Sequence, residues 1–479
     1  MNKRMIVYTL GKMVKIEGYL LILPFLISCI YQETTGIVYF GCAILTYFVG
    51  YLLSRKKPEN EVIYAKEGFI IVALAWIVFS VIGALPFCIT GEIPSYVDAF
   101  FEIVSGFTTT GSTILKDIEA LSYASLFWRS FSHWIGGMGI LVFVVAFLAD
   151  APGTTMHILK AEMPGPVVGK LVSKVHVTAK LLYKMYAVLT VIEAVFLICG
   201  GMPLFDSVLA AFSTAGTGGF AIKNASIAYY DSAYIDGVIT VFMLLFGINF
   251  NLVYLVFIRR FKDAFKSEEL HWYLAIVATA TVLITINVAS LYPSLAKAFR
   301  FAVFQVASVI TTTGFVTADY QQWPAFSQTI LILLMFIGAC AGSTGGGIKV
   351  SRIVMMIKRG TVGLKQLVHP RSVNTIMFEN QPVEDSTINV MHTYLILYST
   401  IFIGSMLLVV MQNIDFASGF TAVATCMNNV GPGLNVVGPV ENFSSLSDLS
   451  KLVLSFDMLA GRLEIFPMLM LFNPKLWKK

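Results

Sequence analysis

The chain has 479 residues, 57% of them hydrophobic and 13% charged, with a formal net charge of +5. That balance excludes a soluble globular domain. The positive excess does not imply a nucleic-acid partner, because Lys and Arg fall in short clusters between long apolar runs, as in loops on the cytoplasmic side of a membrane.

In chain order, Lys3, Arg4, Lys12 and Lys15 lie at or before the start of a first apolar segment, about Val14–Ile30. No small-residue cleavage site follows it, so it reads as a span and not as a signal peptide. A second segment, Gly36–Leu53, leads to Arg55, Lys56, Lys57 and Lys66. From there one unit recurs: a span, a short helix, a polar stretch, a span. The first unit has spans near Gly68–Ile89 and Ser125–Leu148 around a short helix at Tyr96–Phe107. The second has Ala179–Cys199 and Gly237–Ile258 around Pro203–Ala215. The third has His271–Leu291 and Phe326–Ile357 around Pro293–Ile310. The fourth has Met391–Met411 and Leu449–Phe472 around Phe416–Met427.

A crossing takes about 20 residues. The short helices must therefore enter the membrane and return, which requires cover from protein or water. Further basic clusters are Lys160, Lys170, Lys174, Lys180 and Lys184; Arg259, Arg260, Lys262 and Lys266; Lys358, Arg359, Lys365 and Arg371; and Lys475, Lys478 and Lys479. They recur after every second span. The expectation is an all-α polytopic membrane protein with ten crossings and both termini cytoplasmic. Two leading helices (1–66) would precede four parallel repeats, 67–160, 161–266, 267–372 and 373–479, with pseudo-fourfold symmetry around one pore. Inverted repeats would need an odd number of spans per unit. Cys29, Cys42, Cys88, Cys199, Cys340 and Cys426 show no metal-ligand spacing and read as small core residues.

The polar stretches carry the function. They are Thr108-Thr109-Thr110-Gly111, Gly216-Thr217-Gly218-Gly219, Thr311-Thr312-Thr313-Gly314 and Asn428-Asn429-Val430-Gly431. Aligned on the last glycine, the residue six places earlier is Ser105, Ser213, Ser308 or Thr425, a hydroxyl each time. Small hydroxyl residues and glycine, repeated fourfold, suit a cation filter of backbone carbonyls. The expected filter residues are Thr109, Thr110, Gly111, Gly218, Gly219, Thr312, Thr313, Gly314, Asn429, Val430 and Gly431. Each re-entrant helix also points its negative C-terminal end inward. At about 8 Å and an effective dielectric of about 20, each end stabilises a monovalent cation by about 1 kcal/mol. The stretches hold no carboxylate, which favours a weakly hydrated monovalent ion over a divalent one.

A second glycine-rich stretch, Gly342-Ser343-Thr344-Gly345-Gly346-Gly347, interrupts the second span of unit three. It is no P-loop, because Ile348 separates Lys349 from the last glycine and no strand precedes it. The apolar run before it would carry it past the membrane midpoint. Irregular backbone at that depth must line a cavity or be covered. The expectation is a movable gate, with Arg462 in the last span donating hydrogen bonds to its carbonyls; the plainer alternative is a packing kink, with Arg462 paired to Asp457 or Glu464. Asp98, Glu102 and Asp206 are read as caps of short helices, which leaves little acidic residue for ion coupling. Arg129, His133 and Trp134 are read as interfacial anchors. Paired catalytic Asp, Ser–His and zinc motifs are missing from the spans, so no enzyme is expected.

On these residues the chain resembles the Trk/Ktr/HKT superfamily of potassium transporters, over essentially its whole length. Gly219-Phe220, Gly314-Phe315 and Gly431-Pro432 match, and Gly461–Pro467 is similar to the family's final pore helix. The two leading spans resemble the TrkH-type bacterial pore subunits. The resemblance implies potassium as the ion, since Gly111 stands where sodium-transporting members have serine, and no covalently bound cofactor. It also implies a homodimer in the cytoplasmic membrane, and a cytosolic nucleotide-binding regulatory subunit of the TrkA type docking on the loops at Lys160–Lys184 and Lys358–Arg371. The alternative is a sodium- or proton-coupled potassium symporter with one discrete binding site; buried acidic residues would favour it.

Overall fold

The computed structural model describes residues 2–60, 63–139, 175–370 and 375–477. Lys160, Lys170, Lys174, Arg371, Lys478 and Lys479, and the expected span end at Leu148, lie outside these residues. The described chain is mostly helical, with almost no strand. The exception is a two-residue hairpin pairing Met377–Phe378 with Gln381–Pro382. Its turn places Glu379 and Asn380 at φ 51° and 59°.

Among the described residues six helices are long and apolar enough to cross a membrane: Lys3–Tyr31, Gly36–Leu53, Lys66–Ile89, Ala179–Cys199, Glu268–Leu291 and Asp385–Val410. The first begins well before the apolar run and carries Lys3, Arg4, Lys12 and Lys15 within it. It is broken at Leu21. Pro24 is the reason, since it has no N–H to bond back one turn. Gly11, Gly18 and Gly50 let this helix lie close against Gly36–Leu53; a side chain on Gly18 would come within 2.8 Å of the Tyr47 amide.

The short helices are Tyr96–Phe107, Leu204–Gly216, Leu295–Ile310 and Phe416–Asn428. Their N-caps are Ser95, Pro203, Ser294 and Asp415. Asp98 and Asp206 sit in first turns, where a negative charge is favourable.

The helices that follow depart from expectation. Instead of one interrupted span among four, every one stops after 13–15 residues: Tyr123–Gly137, Ala233–Phe246, Ala325–Ile337 and Asp448–Arg462. The second resumes at Phe250–Phe257 after a 105° bend. The third resumes at Val350–Val368 and the fourth at Phe466–Leu471. Close approach explains two of these ends. A methyl on Gly136 would collide with the Phe107 carbonyl oxygen, and one on Gly461 with that of Met427. In the fourth unit Glu464 and Ile465 then take φ of 54° and 70°, with Pro467 just beyond.

Packing follows a ring. Each short helix lies against the long helices of its own unit. Tyr123–Gly137 also packs on short helix two, Ala233–Phe246 on three and Ala325–Ile337 on four. Asp448–Arg462 closes the circle on short helix one. Outer faces of the long helices expose Ile37, Phe48, Val191, Ile286, Ile396 and Leu407, a surface made for lipid.

Candidate functional site

All four short helices end in the same turn. The amide of the residue before the glycine donates back five residues: Thr110 to the Ser105 carbonyl (2.9 Å), Gly218 to Ser213 (2.8 Å), Thr313 to Ser308 (2.8 Å) and Val430 to Thr425 (2.9 Å). The repeated hydroxyl residue therefore acts through its carbonyl. Left-handed backbone recurs at two places in each loop: Thr109 and Gly111, Thr217 and Gly219, Thr312 and Gly314, Asn429 and Gly431, with φ between 54° and 102°. The residue between each pair is not left-handed. Alternating handedness turns successive carbonyls toward one side.

The carbonyls meet in a circle. A methyl on Gly111 would collide with the Gly218 carbonyl oxygen, one on Gly219 with that of Thr313, and one on Gly314 with that of Val430. One on Gly431 would stand 2.8 Å from the Thr110 oxygen. The expected filter residues are thus brought together, each glycine against the next unit's carbonyl. A cavity of about 150 Å³ borders all four glycines. Behind the ring the hydroxyls of Thr108 and Thr110 pair at 2.8 Å, as do those of Thr311 and Thr313. In the divergent fourth stretch Asn429 donates to the Thr110 hydroxyl (2.9 Å) and the Met458 carbonyl (3.0 Å).

Neighbouring loops are stitched beyond the glycines. Ala228 N–H donates to the Val316 carbonyl at 3.1 Å. The Tyr320 hydroxyl donates to the carbonyls of Pro432 (3.2 Å) and Gly433 (3.1 Å). Ser112 Oγ donates to the Gly431 carbonyl (3.1 Å), and Phe443 N–H to that of Thr113 (2.8 Å). Within unit one, where it meets unit two, stands an ion pair, Arg129 Nε to Glu102 at 2.5 Å, with side chains 2% and 0% exposed. This corrects two readings. Glu102 lies seven residues into its helix and caps nothing, and Arg129 is buried and no interfacial anchor. His133 is buried too, stacked on Phe220 at 4.1 Å. Trp134 is half-buried and donates to the Thr190 hydroxyl at 3.2 Å.

Residues 338–349 lie below the ring. A side chain on Gly345 would come within 2.9 Å of the Thr311 carbonyl, and one on Gly346 within 3.1 Å of Asn429 Cβ. The Gly346 amide donates to the Thr312 hydroxyl at 2.6 Å. Arg462 reaches the loop, donating to the Thr344 carbonyl at 2.7 Å and to those of Gly136 and Gly137 at 2.6 Å. Glu464 pairs with Arg352, and Asp457 accepts from Ser405 at 2.7 Å. Gly342, Ser343, Gly345, Gly346 and Gly347 line a cavity of about 60 Å³ together with Arg462.

Sequence reasoning missed two further contacts. Buried Lys349 donates to the Gly345 carbonyl. Glu269 Oε1 accepts from the amides of Ala341 (2.7 Å) and Ser351 (3.1 Å), one on each side of the loop. The available signal was charge within or beside apolar sequence. The same signal marks Glu17, Glu193 and Asp457, all wholly buried in membrane helices. The expectation of few acids available for coupling is corrected accordingly. Among the described residues no group of His, Cys, Asp and Glu could hold a metal ion, so an ion at the ring would meet neutral oxygens.

Long apolar helices around a ring of re-entrant turns define an α-helical membrane protein of the transporter class. A family model described as "TrkH: Cation transport protein" matches residues 37–479. The Trk system potassium uptake protein TrkH of Salmonella typhimurium is 38% identical over 489 residues, covering 100% of both chains. That of Escherichia coli is 38% identical over 487 residues, again covering 100% of both. The crystal structure of the potassium transporter TrkH from Vibrio parahaemolyticus superposes with a TM-score of 0.90 at 34% identity, covering 100% of each chain. The chain belongs to the TrkH family.

Proposed function

We propose that this protein takes up potassium across the cytoplasmic membrane through the four-loop ring, with the loop at 342–347 as its gate. The observation that carries the reading is the closed circle of carbonyls, each packed on the next unit's glycine. Potassium is the cargo, held by Thr109, Thr110, Gly111, Gly218, Gly219, Thr312, Thr313, Gly314, Asn429, Val430 and Gly431; no other cofactor is required. Neutral carbonyls replace the hydration shell, and four helix C-termini favour a cation. The repeats 67–160, 161–266, 267–372 and 373–479 each supply one quarter, after the two-helix segment 1–66. Both termini lie in the cytoplasm, and the protein does not act as an enzyme.

The names of the relatives speak of a Trk system. A homodimer joined by a cytosolic nucleotide-binding subunit of the TrkA type fits this chain: Val350–Val368 joins the gate directly to the basic cluster Lys358, Arg359 and Lys365. Movement of that helix by a partner would pull on the loop. Rubidium uptake into proteoliposomes tests the reading. Uptake blocked by potassium but not by equal sodium is expected; equal competition would refute it.

A second reading, symport coupled to protons or sodium, is favoured by Glu17, Glu193 and Asp457, the buried membrane carboxylates. Imposed proton or sodium gradients would drive rubidium uptake under it and leave uptake unchanged under simple conduction.

A further inference from the structure

We propose that Arg129 and Glu102 are selectivity-positioning residues: their buried pair fixes the spacing of the first two filter loops. The inference rests on the filter reading above. Glu102 binds the outgoing end of loop one, accepting from Thr113 Oγ1 at 2.9 and 3.0 Å and from the Ile114 amide at 2.9 Å. Arg129 binds the outgoing end of loop two, donating from Nη1 to the Ala221 carbonyl at 2.8 Å. Its Nε closes the bridge to Glu102. Thr113 and Ala221 each lie two residues past a filter glycine. One salt bridge therefore spans the two strands just outside the ring.

The guanidinium is braced as well. It lies 3.7 Å from the centre of the Phe220 ring, whose other stacking partner is His133, at 4.1 Å and 18°. A side chain on Gly218 would strike that same histidine ring. Arg129, Phe220, His133 and Gly218 thus pack in sequence from the salt bridge to the filter backbone. A charged pair so buried is a poor source of net stability, and apolar groups of similar size often replace one without loss. Geometric specificity is what a two-pronged guanidinium adds. A carbonyl ring discriminates between ions by its dimensions and field, so a brace on one of its four joints bears on selectivity before it bears on folding.

The double variant Glu102→Gln with Arg129→Met removes both charges while keeping bulk. Arg129→Lys keeps the charge but replaces the planar fork that holds Glu102 and Ala221 in fixed geometry by a single nitrogen. Each would be purified, its thermal unfolding compared with wild type, and its rubidium and sodium fluxes measured in proteoliposomes. The rubidium-to-sodium flux ratio should fall roughly tenfold in the double variant, with a smaller fall in Arg129→Lys, at near wild-type unfolding temperature. A wild-type ratio in either folded variant overturns the proposal. If the double variant does not fold, Arg129→Lys decides alone. Gly111→Ser serves as the control: an unchanged ratio there means that the filter reading has failed, whereas a changed ratio there beside an unchanged one in Arg129→Lys means that only the brace has.

Discussion

In the ring, each loop is closed by amides bonded to carbonyls of its own short helix, whereas the loop at 338–349, besides backbone bonds to the helix before it and to Phe246 and Gly247, is held by side chains distant in sequence. Ring positions repeat four times; among the described residues the lower loop occurs once. The lower loop adds to its backbone bonds the contacts of Arg462, Glu269 and Thr312 and that of its own Lys349. Under the function proposed above, the first construction suits a filter and the second a gate.

The sharpest break of that contrast is at a ring glycine. Gly314 has φ 85° and faces the Val430 carbonyl. Gly314→Ala adds about 1–2 kcal/mol of left-handed strain and a collision with that oxygen. Rubidium-over-sodium flux should fall at least tenfold, as it should for Gly111→Ser; a folded variant with the wild-type ratio would place Gly314 outside the filter. Next comes Arg462→Ala. It removes a charged hydrogen bond to the Thr344 carbonyl, of a kind worth about 1.5–3 kcal/mol. Partner-free rubidium flux should rise on the order of tenfold, and deletion of 343–345 should raise it too. Wild-type flux in both would reduce the loop to a packing kink.

Glu269→Gln tests the other anchor. An amide oxygen still accepts from Ala341 and Ser351 but without charge, a loss of about 1 kcal/mol. Partner-free flux should rise by roughly fivefold, with the ion ratio unchanged; a changed ratio would mean that ring and loop are not separable. The smallest effect is expected at Asp415, which caps short helix four. Asp415→Ala should cost about 1 kcal/mol of stability and leave selectivity alone, read by thermal unfolding in detergent. Bonds from the Ser418 hydroxyl and amide, and from Asn435, hold the Asp415 carboxyl below its ordinary range. Its folded value thus lies under the unfolded value of about 3.9. The stabilisation is complete above that value and is lost as pH falls through the folded one. The alanine variant should lack this acid-side decline.

Much of the ring was legible because it is written four times. Tyr96–Phe107 and Gly36–Leu53 fall where the sequence puts them, and the other short helices within two residues. The aligned hydroxyls marked a real structural position, although the carbonyls of those residues make the recurring bond. What escaped was non-local. Glu102 and Arg129 are 27 residues apart, and Glu269 meets a loop more than 70 residues later. No periodicity announces such pairs. The bend in the second helix of unit two was hidden for a different reason: Gly247-Ile248-Asn249 interrupts an apolar run too briefly for hydropathy to register, whereas in unit four Arg462, Glu464 and Pro467 stood in the sequence and were not read as a break. An Asn cap at Asn249 and a left-handed β-branched residue at Ile465 do the turning.

Because one chain contributes all four quarters of the ring, each quarter has its own heredity. In a pore assembled from four identical subunits, a single codon change alters every side at once, and any asymmetry is forbidden. Here a change at Asn429 touches one side while Thr109, Thr217 and Thr312 stay as they were. Such a ring can be adjusted by quarters. It can carry an asparagine in one, a salt bridge behind another and a glycine loop under a third, each acquired without its being imposed on the rest.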